Sequence, residues 1–234
     1  MDRKRIVFVV MFVVAISAGL VFGDLQKGEE ALVRLLDGNK RFIAGVAAQK
    51  DISDAKRKEL AKGQSPSAIV VACSDSRVSP EIIFDQGLGD VFVVRVAGNV
   101  LDPIAMGSVE YAAEHLHSPL LVILGHEKCG AVAATLDAKG KPEGNIGAIV
   151  NKIMPAVKKA KAKGGTKEEM LNNSIKENVL LSKEELMKKS PIVKHLVESG
   201  ELKVVTGVYR LASGDIELLN SGDPQPQKTH KHAH

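Results

Sequence analysis

A chain of 234 residues, 44% hydrophobic and 26% charged, is long enough to bury one sizeable core and too balanced to be disordered or fibrous. With 3% aromatics and no Trp, that core must rest on Val, Ile, Leu and Ala. The net charge of +4 is small, and no basic stripe is interleaved with aromatics, which argues against a nucleic-acid partner.

Residues 1–23 read as a targeting segment. Arg3, Lys4 and Arg5 make a positive start, Ile6 to Phe22 an apolar run, and Gly23 a small residue for cleavage. The run is slightly long for the apolar part of a signal peptide and slightly short for a spanning helix. A cleaved signal peptide is the expectation. A retained anchor, the one route to a membrane association, is the alternative. Either puts the folded part in the periplasm or outside the cell. A single catalytic domain is expected over 24–222, and a disordered His-rich tail over 223–234.

Within the domain, Leu32, Leu35, Leu36 and Phe42 recur at helical spacing over 25–45, with Gly45 as a stop. A short helix follows over 53–62. Ser67 to Cys73 is an apolar, β-branched run, the mark of a buried strand. Ser79 and Pro80 open a helix over 79–86. A second buried strand covers 90–98. Asp102 and Pro103 open a helix over 102–116, and a third strand covers 119–126. A further helix runs from Cys129 to its stop at Gly140. This alternation predicts an α/β fold: a central, mostly parallel β-sheet with covering helices and an N-terminal helical arm. Residues 145–200 read as helical, with breaks near Gly164-Gly165 and Pro191. Two strands joined by a turn at Ser213-Gly214-Asp215 form a C-terminal edge hairpin.

The chain has two cysteines. Cys73 ends the first predicted strand, and His126 and Cys129 end the third, where open α/β sheets bind their ligands. Export favours a disulfide. Yet His126 and Cys129 are three residues apart across a strand-to-helix turn and can face one point. With Cys73 they make the Cys₂His set of a catalytic zinc with an open fourth position. On spacing alone, zinc, a disulfide and unpaired core thiols all stay open. Asp75 and Arg77 follow Cys73 closely, and an Arg–carboxylate fork would keep Asp75 ionised. Taken alone, a loop salt bridge is the simpler reading of that pair. His115, His117, His195, Glu127 and Lys128 read as surface.

The combination "CSDSR" at 73–77 and "HEKCG" at 126–130 resembles the β-class carbonic anhydrases. So do "GNKRF", "GQSP", "VFVVRVAGN", "GSVEYA" and "SGELKVVTGVYRLASGDIELL", and the likeness covers roughly residues 28–220. The resemblance implies a zinc enzyme that hydrates CO₂ to bicarbonate and a proton through a zinc-bound hydroxide. One Zn²⁺ per subunit would be held by Cys73, His126 and Cys129, with Asp75 and Arg77 as the catalytic pair. Gln64, Phe92, Ala97, Tyr111 and Gly130 would line the substrate pocket, several of them from the neighbouring subunit of a homodimer or tetramer. Ala97 stands where Val is common, which would enlarge the pocket slightly. In some members the Asp takes the fourth zinc position at low pH. The branch gated by bicarbonate carries a Trp where this chain has Val70, so the open form is expected here. Some relatives act on CS₂ or COS instead, with the same site and different access.

Overall fold

The computed structural model describes residues 26–140, 142 and 144–219. The expected targeting segment and His-rich tail lie outside the described residues. Helix α1 spans 26–43 and α2 spans Asp54–Leu60. Then come β1 (Ala68–Ala72), α3 (Pro80–Ile83), β2 (Val91–Arg95), a 3₁₀ turn (Ala97–Asn99), α4 (Pro103–Glu114) and β3 (Leu120–His126). Helices α5 (Gly130–Asp137), α6 (Ile146–Lys163), α7 (Lys167–Lys189) and α8 (Pro191–Glu198) precede β4 (Lys203–Tyr209) and β5 (Ile216–Leu219).

The strands form one sheet in the order β2-β1-β3-β4-β5. The first four are parallel, and β5 returns antiparallel to β4 as the edge hairpin. From β1 the chain goes first to one side, to β2, and then back across to β3 on the other. The topological switch point therefore lies between β1 and β3, where an α/β sheet opens a ligand crevice beyond its carboxyl ends. Both strands are buried along their whole length, which is why their sequences are near-continuous apolar runs.

Side chains alternate between two faces. Ile69, Val71, Leu121 and Ile123 pack under α4, α7 and α8. Val70, Ala72, Val122 and Leu124 face the other way, against Ala31, Leu32 and Leu35 of α1 and against Ile83 and Phe84. The helical arm is thus a covering layer of its own sheet. A third cluster joins Cys73 and Cys129 to Val132, Leu136, Ile153, Val157 and Ile175, so α5, α6 and α7 roof the crevice.

Three elements depart from expectation. Helix α3 has four residues, because the chain leaves it at Asp85 (φ +50). That buried carboxylate is tied to Arg41, Lys50 and the Ala48 N–H. Ser79 stands at the N-cap position without capping; its hydroxyl donates to Glu81 instead. Strand β2 stops at Arg95, since Gly98 and Asn99 turn left-handed at φ +69 and +46. Helix α5 ends at Asp137, before Gly140, as Ala138 becomes extended. The breaks at Gly164 and Pro191 fall as read: α7 starts on a Thr166–Glu169 capping box and α8 on Ser190 with Pro191 at its first position. No helix among the described residues is long and apolar enough to cross a membrane.

Candidate metal centre

Strand β1 delivers Cys73 at its carboxyl end, and β3 delivers His126 as its last residue. A two-residue turn, Glu127 and Lys128, with Lys128 at φ +53, then places Cys129 at the N-cap of α5. Two backbone ties hold this turn to the end of β4. Glu127 N–H donates to Tyr209 O at 2.8 Å, and the Glu127 carboxylate accepts from Leu211 N–H at 3.1 Å. Glu127 is therefore a half-buried anchor of the ligand loop rather than plain surface. Lys128, His115, His117 and His195 are exposed, as read.

The ligand atoms of Cys73, His126 and Cys129 all lie within 4.8 Å of one another, and all three residues are buried. A tetrahedral zinc with Zn–S of about 2.3 Å and Zn–N of about 2.0 Å needs donors about 3.6–3.8 Å apart, so the cluster has the right size. His126 has no exposed surface. Its Nδ1 stands 2.9 Å from Glu127 O, which assigns the proton to Nδ1 and leaves a lone pair on Nε2. That Nε2 is buried and has no hydrogen-bond partner. Such an orphan is rare in a native protein, and a metal ion in front of it removes the anomaly.

The two thiols answer each other. Cys73 is drawn down to about 4, chiefly by the hydrogen bond from the Cys129 thiol, against burial, with help from the Gly98 N–H. Cys129 is pushed well above the ordinary thiol range by the same partner and by burial. Between them they hold one proton; a divalent cation lets both become thiolates. Both are free cysteines.

Asp75 sits beside this cluster, with Oδ2 3.8 Å from His126 Nε2. Arg77 forks it, Nε to Oδ1 at 2.9 Å and Nη2 to Oδ2 at 2.7 Å, and the Arg77 backbone N–H adds a third bond to Oδ1 at 2.9 Å. The fork holds the carboxyl well below the usual carboxylate range, against a smaller opposing effect of burial. Arg95, at the end of β2, ties down the loop: it donates to Cys73 O at 3.1 Å and to Asp75 O at 2.8 Å. The Gly98 N–H reaches the Cys73 sulfur at 3.2 Å. Sequence reasoning gave Arg95 and Gly98 no role, although both stand in "VFVVRVAGN".

Of the expected pocket residues, two lie next to the cluster in the chain: Ala97 beside Gly98, and Gly130 as the first residue of α5. Gln64 is exposed before the amino end of β1. Phe92 pairs with Ile69, four residues from Cys73, or about 13 Å along the strand. Its ring stacks obliquely on Tyr111 with centroids 6.3 Å apart, and Tyr111 is 47% exposed. One chain does not bring these three to its own metal cluster.

A buried Cys₂His cluster at the switch point of a mostly parallel sheet, with an ionised carboxylate beside it, defines an α/β protein with a site suited to catalytic zinc. A family model described as carbonic anhydrase matches residues 68–216. A carbonic anhydrase of Mycolicibacterium smegmatis is 40% identical over 188 residues, covering 79% of this chain and 89% of that one. Among solved structures, a Coccomyxa β-carbonic anhydrase in complex with acetazolamide matches with a TM-score of 0.66 at 29% identity, over 71% of this chain and 78% of that one. A structure from work on two tetrameric β-carbonic anhydrases of Sordaria macrospora matches at 0.65 and 25% identity, over 70% and 85%. The chain belongs to the carbonic anhydrase family, in its β class, an enzyme family whose general reaction is CO₂ hydration.

Proposed function

We propose that this protein converts CO₂ and water to bicarbonate and a proton, reversibly, at one zinc ion per subunit held by Cys73 Sγ, Cys129 Sγ and His126 Nε2. The observation that carries the proposal is the unpartnered, buried Nε2 within 4.8 Å of two buried thiol sulfurs. When bound, zinc supplies Lewis acidity, which in the three-histidine carbonic anhydrases brings water to a pKa of about 7. Two thiolates donate more charge than imidazoles do, so the working pH here should be somewhat higher.

The chain's own residues do the positioning. Asp75 accepts a hydrogen bond from the attacking water and so aims an oxygen lone pair at the CO₂ carbon. Arg77 keeps Asp75 ionised and turned to this task. Both carboxylate oxygens are engaged by Arg77, which supports the open form over the one with Asp75 as a fourth ligand. Ala97 and Gly130 border the substrate space from within the chain. Gln64, Phe92 and Tyr111 reach that space from a second subunit in this reading; their placement away from their own cluster, with Gln64 and Tyr111 exposed, supports a homodimer as the least unit. The basic start and apolar run of residues 2–22 support export to the periplasm or beyond.

Metal analysis and stopped-flow CO₂ hydration on one sample test the proposal. About one zinc per chain is expected. Asp75→Asn should keep that zinc and lose about 10²-fold or more in kcat, the usual worth of a positioned proton acceptor. Protein without zinc, or an Asp75→Asn enzyme of full activity, would sink it.

A further inference from the structure

The sulfur of Cys73 is not left to the metal alone. It accepts the Gly98 N–H at 3.2 Å, in a buried contact. Gly98 in turn offers its carbonyl to Asn178 Nδ2 at 2.8 Å, also buried, across 80 residues of sequence. Asn178 is 4% exposed and faces inward from α7. Two other buried polar side chains of that helix, Ser174 and Ser182, spend their hydroxyls on their own helix, at Met170 O and Asn178 O. Asn178 alone among these three reaches off the helix, and it reaches the residue whose backbone N–H donates to the Cys73 sulfur. Gly98 cannot be replaced there: it is left-handed at φ +69, and a Cβ would come within 2.6 Å of Ile153 Cδ1 and 3.2 Å of Ala131 Cβ.

We infer that Asn178 is a positioning residue for the metal centre: it holds Gly98 where its N–H meets Cys73 Sγ, and so sets how much charge that thiolate gives to the metal. The inference rests on the zinc reading above. An N–H bond to a thiolate draws electron density off the sulfur, and hydrogen-bonding partners of this kind orient metal ligands and tune the metal. In a site with two thiolates, each such bond offsets part of the extra donation. Removing Asn178 orphans the Gly98 carbonyl, frees the turn and weakens the N–H···S contact.

The test uses the full chain loaded with zinc or, for spectroscopy, with cobalt(II). Asn178→Leu keeps the branched shape and the number of side-chain heavy atoms and deletes the donor. Competition with a chromophoric chelator should show zinc bound about tenfold more weakly, the lower end for loss of such a partner. The sulfur-to-cobalt charge-transfer band should move to lower energy, as a thiolate with a weaker hydrogen bond gives up electrons more readily. A variant with a lower Tm but unchanged zinc affinity and an unmoved band would overturn the inference and leave Asn178 merely structural. Wild-type protein that takes up no metal would overturn the zinc reading and this inference with it, a distinct result. Should Asn178→Leu fail to fold, Asn178→Ala makes the same deletion with less bulk. Independently of any variant, the ¹¹³Cd-loaded wild type should show scalar coupling from the Gly98 amide proton to cadmium through Cys73 Sγ; no coupling would overturn the inference.

Discussion

Gly125 is the residue before His126 in β3, and replacing it by Ala measures how closely α7 presses on the ligand strand. Its backbone is not left-handed, so Ala fits the local conformation. The obstacle is space: a Cβ would lie 2.6 Å from Val179 Cγ2 and 3.4 Å from Ile175 Cγ2. Carbon atoms prefer about 3.5–4.0 Å, so the first contact is short by about 1 Å. Val179 and Ile175 are both buried on α7 and cannot swing clear. Overpacking of this kind costs about 1–3 kcal/mol. The lost freedom of the unfolded chain gives back about 0.4–1 kcal/mol. The net loss of about 1–2 kcal/mol should lower Tm by about 2–8 °C in a chain of this size. Val179→Ala alone should also destabilise, by about 1.6 kcal/mol for two buried carbons. In the double variant the new methyl fills the space the old ones left, so the cycle should show at least about 1 kcal/mol of favourable coupling. Thermal unfolding of the four proteins gives both numbers. A single Gly125→Ala variant as stable as the wild type, or a strictly additive double, would refute the close approach.

Other outcomes follow from the charged groups and the thiols. Arg77→Ala removes the side-chain donors that hold Asp75 low, so its carboxyl should rise toward about 3.9, while the backbone N–H bond that Ala keeps still opposes burial. In the proposed mechanism the ionised form is the acceptor and is lost as pH falls through that value, so the acidic limb of the hydration profile should move to higher pH; an unmoved limb speaks against the role of Arg77. Burial pushes the Asp85 carboxyl up, but hydrogen bonds from Lys50, Arg41 and the Ala48 N–H prevail and bring it down to about 2. The stability this gives is full above about 3.9 and drains away as pH falls through about 2. Asp85→Asn should therefore lower Tm at pH 7 and converge on the wild type near pH 2, and a constant gap would contradict this. Stripping the metal with a chelator and denaturing without reductant should release two reactive thiols per chain, whereas a disulfide would release none.

The centre of this fold is written plainly in the sequence because it is buried on both faces. Residues 68–72 and 120–126 cannot be read as anything but core strands, and the ligands stand at their ends. The same holds for the helix boundaries at Asp102-Pro103, Gly164-Gly165 and Pro191, which act through local chemistry. What escapes is whatever depends on contacts between distant parts of the chain. Helix α3 is cut short by a buried Asp85 whose partners, Arg41 and Lys50, lie 44 and 35 residues away. Helix α6 passes through Pro155, which in isolation reads as a break. Asn178 carries no motif at all, and only the packing of α7 over the Gly98 turn gives it a task. Phe92 and Tyr111 could be named from the resemblance alone: Phe92 is half-buried against its own core, and nothing in the chain explains why the Tyr111 ring stays at the surface.

Cys73 and the His126–Cys129 pair stand on adjacent strands but 53 residues apart. An ion that meets the chain early finds at most His126 and Cys129 together; the third donor arrives only when β1 and β3 lie in register. Such non-local pairing must bear its loop-closure entropy before it is rewarded, so on the proposed zinc reading the metal would lock the paired strands rather than guide the chain to its fold. Its stabilisation would then belong to the native state more than to the folding transition state, which would place its effect on the unfolding rate. Raising free zinc should slow unfolding while leaving the folding rate nearly untouched, and the loaded enzyme gains lifetime rather than speed of assembly.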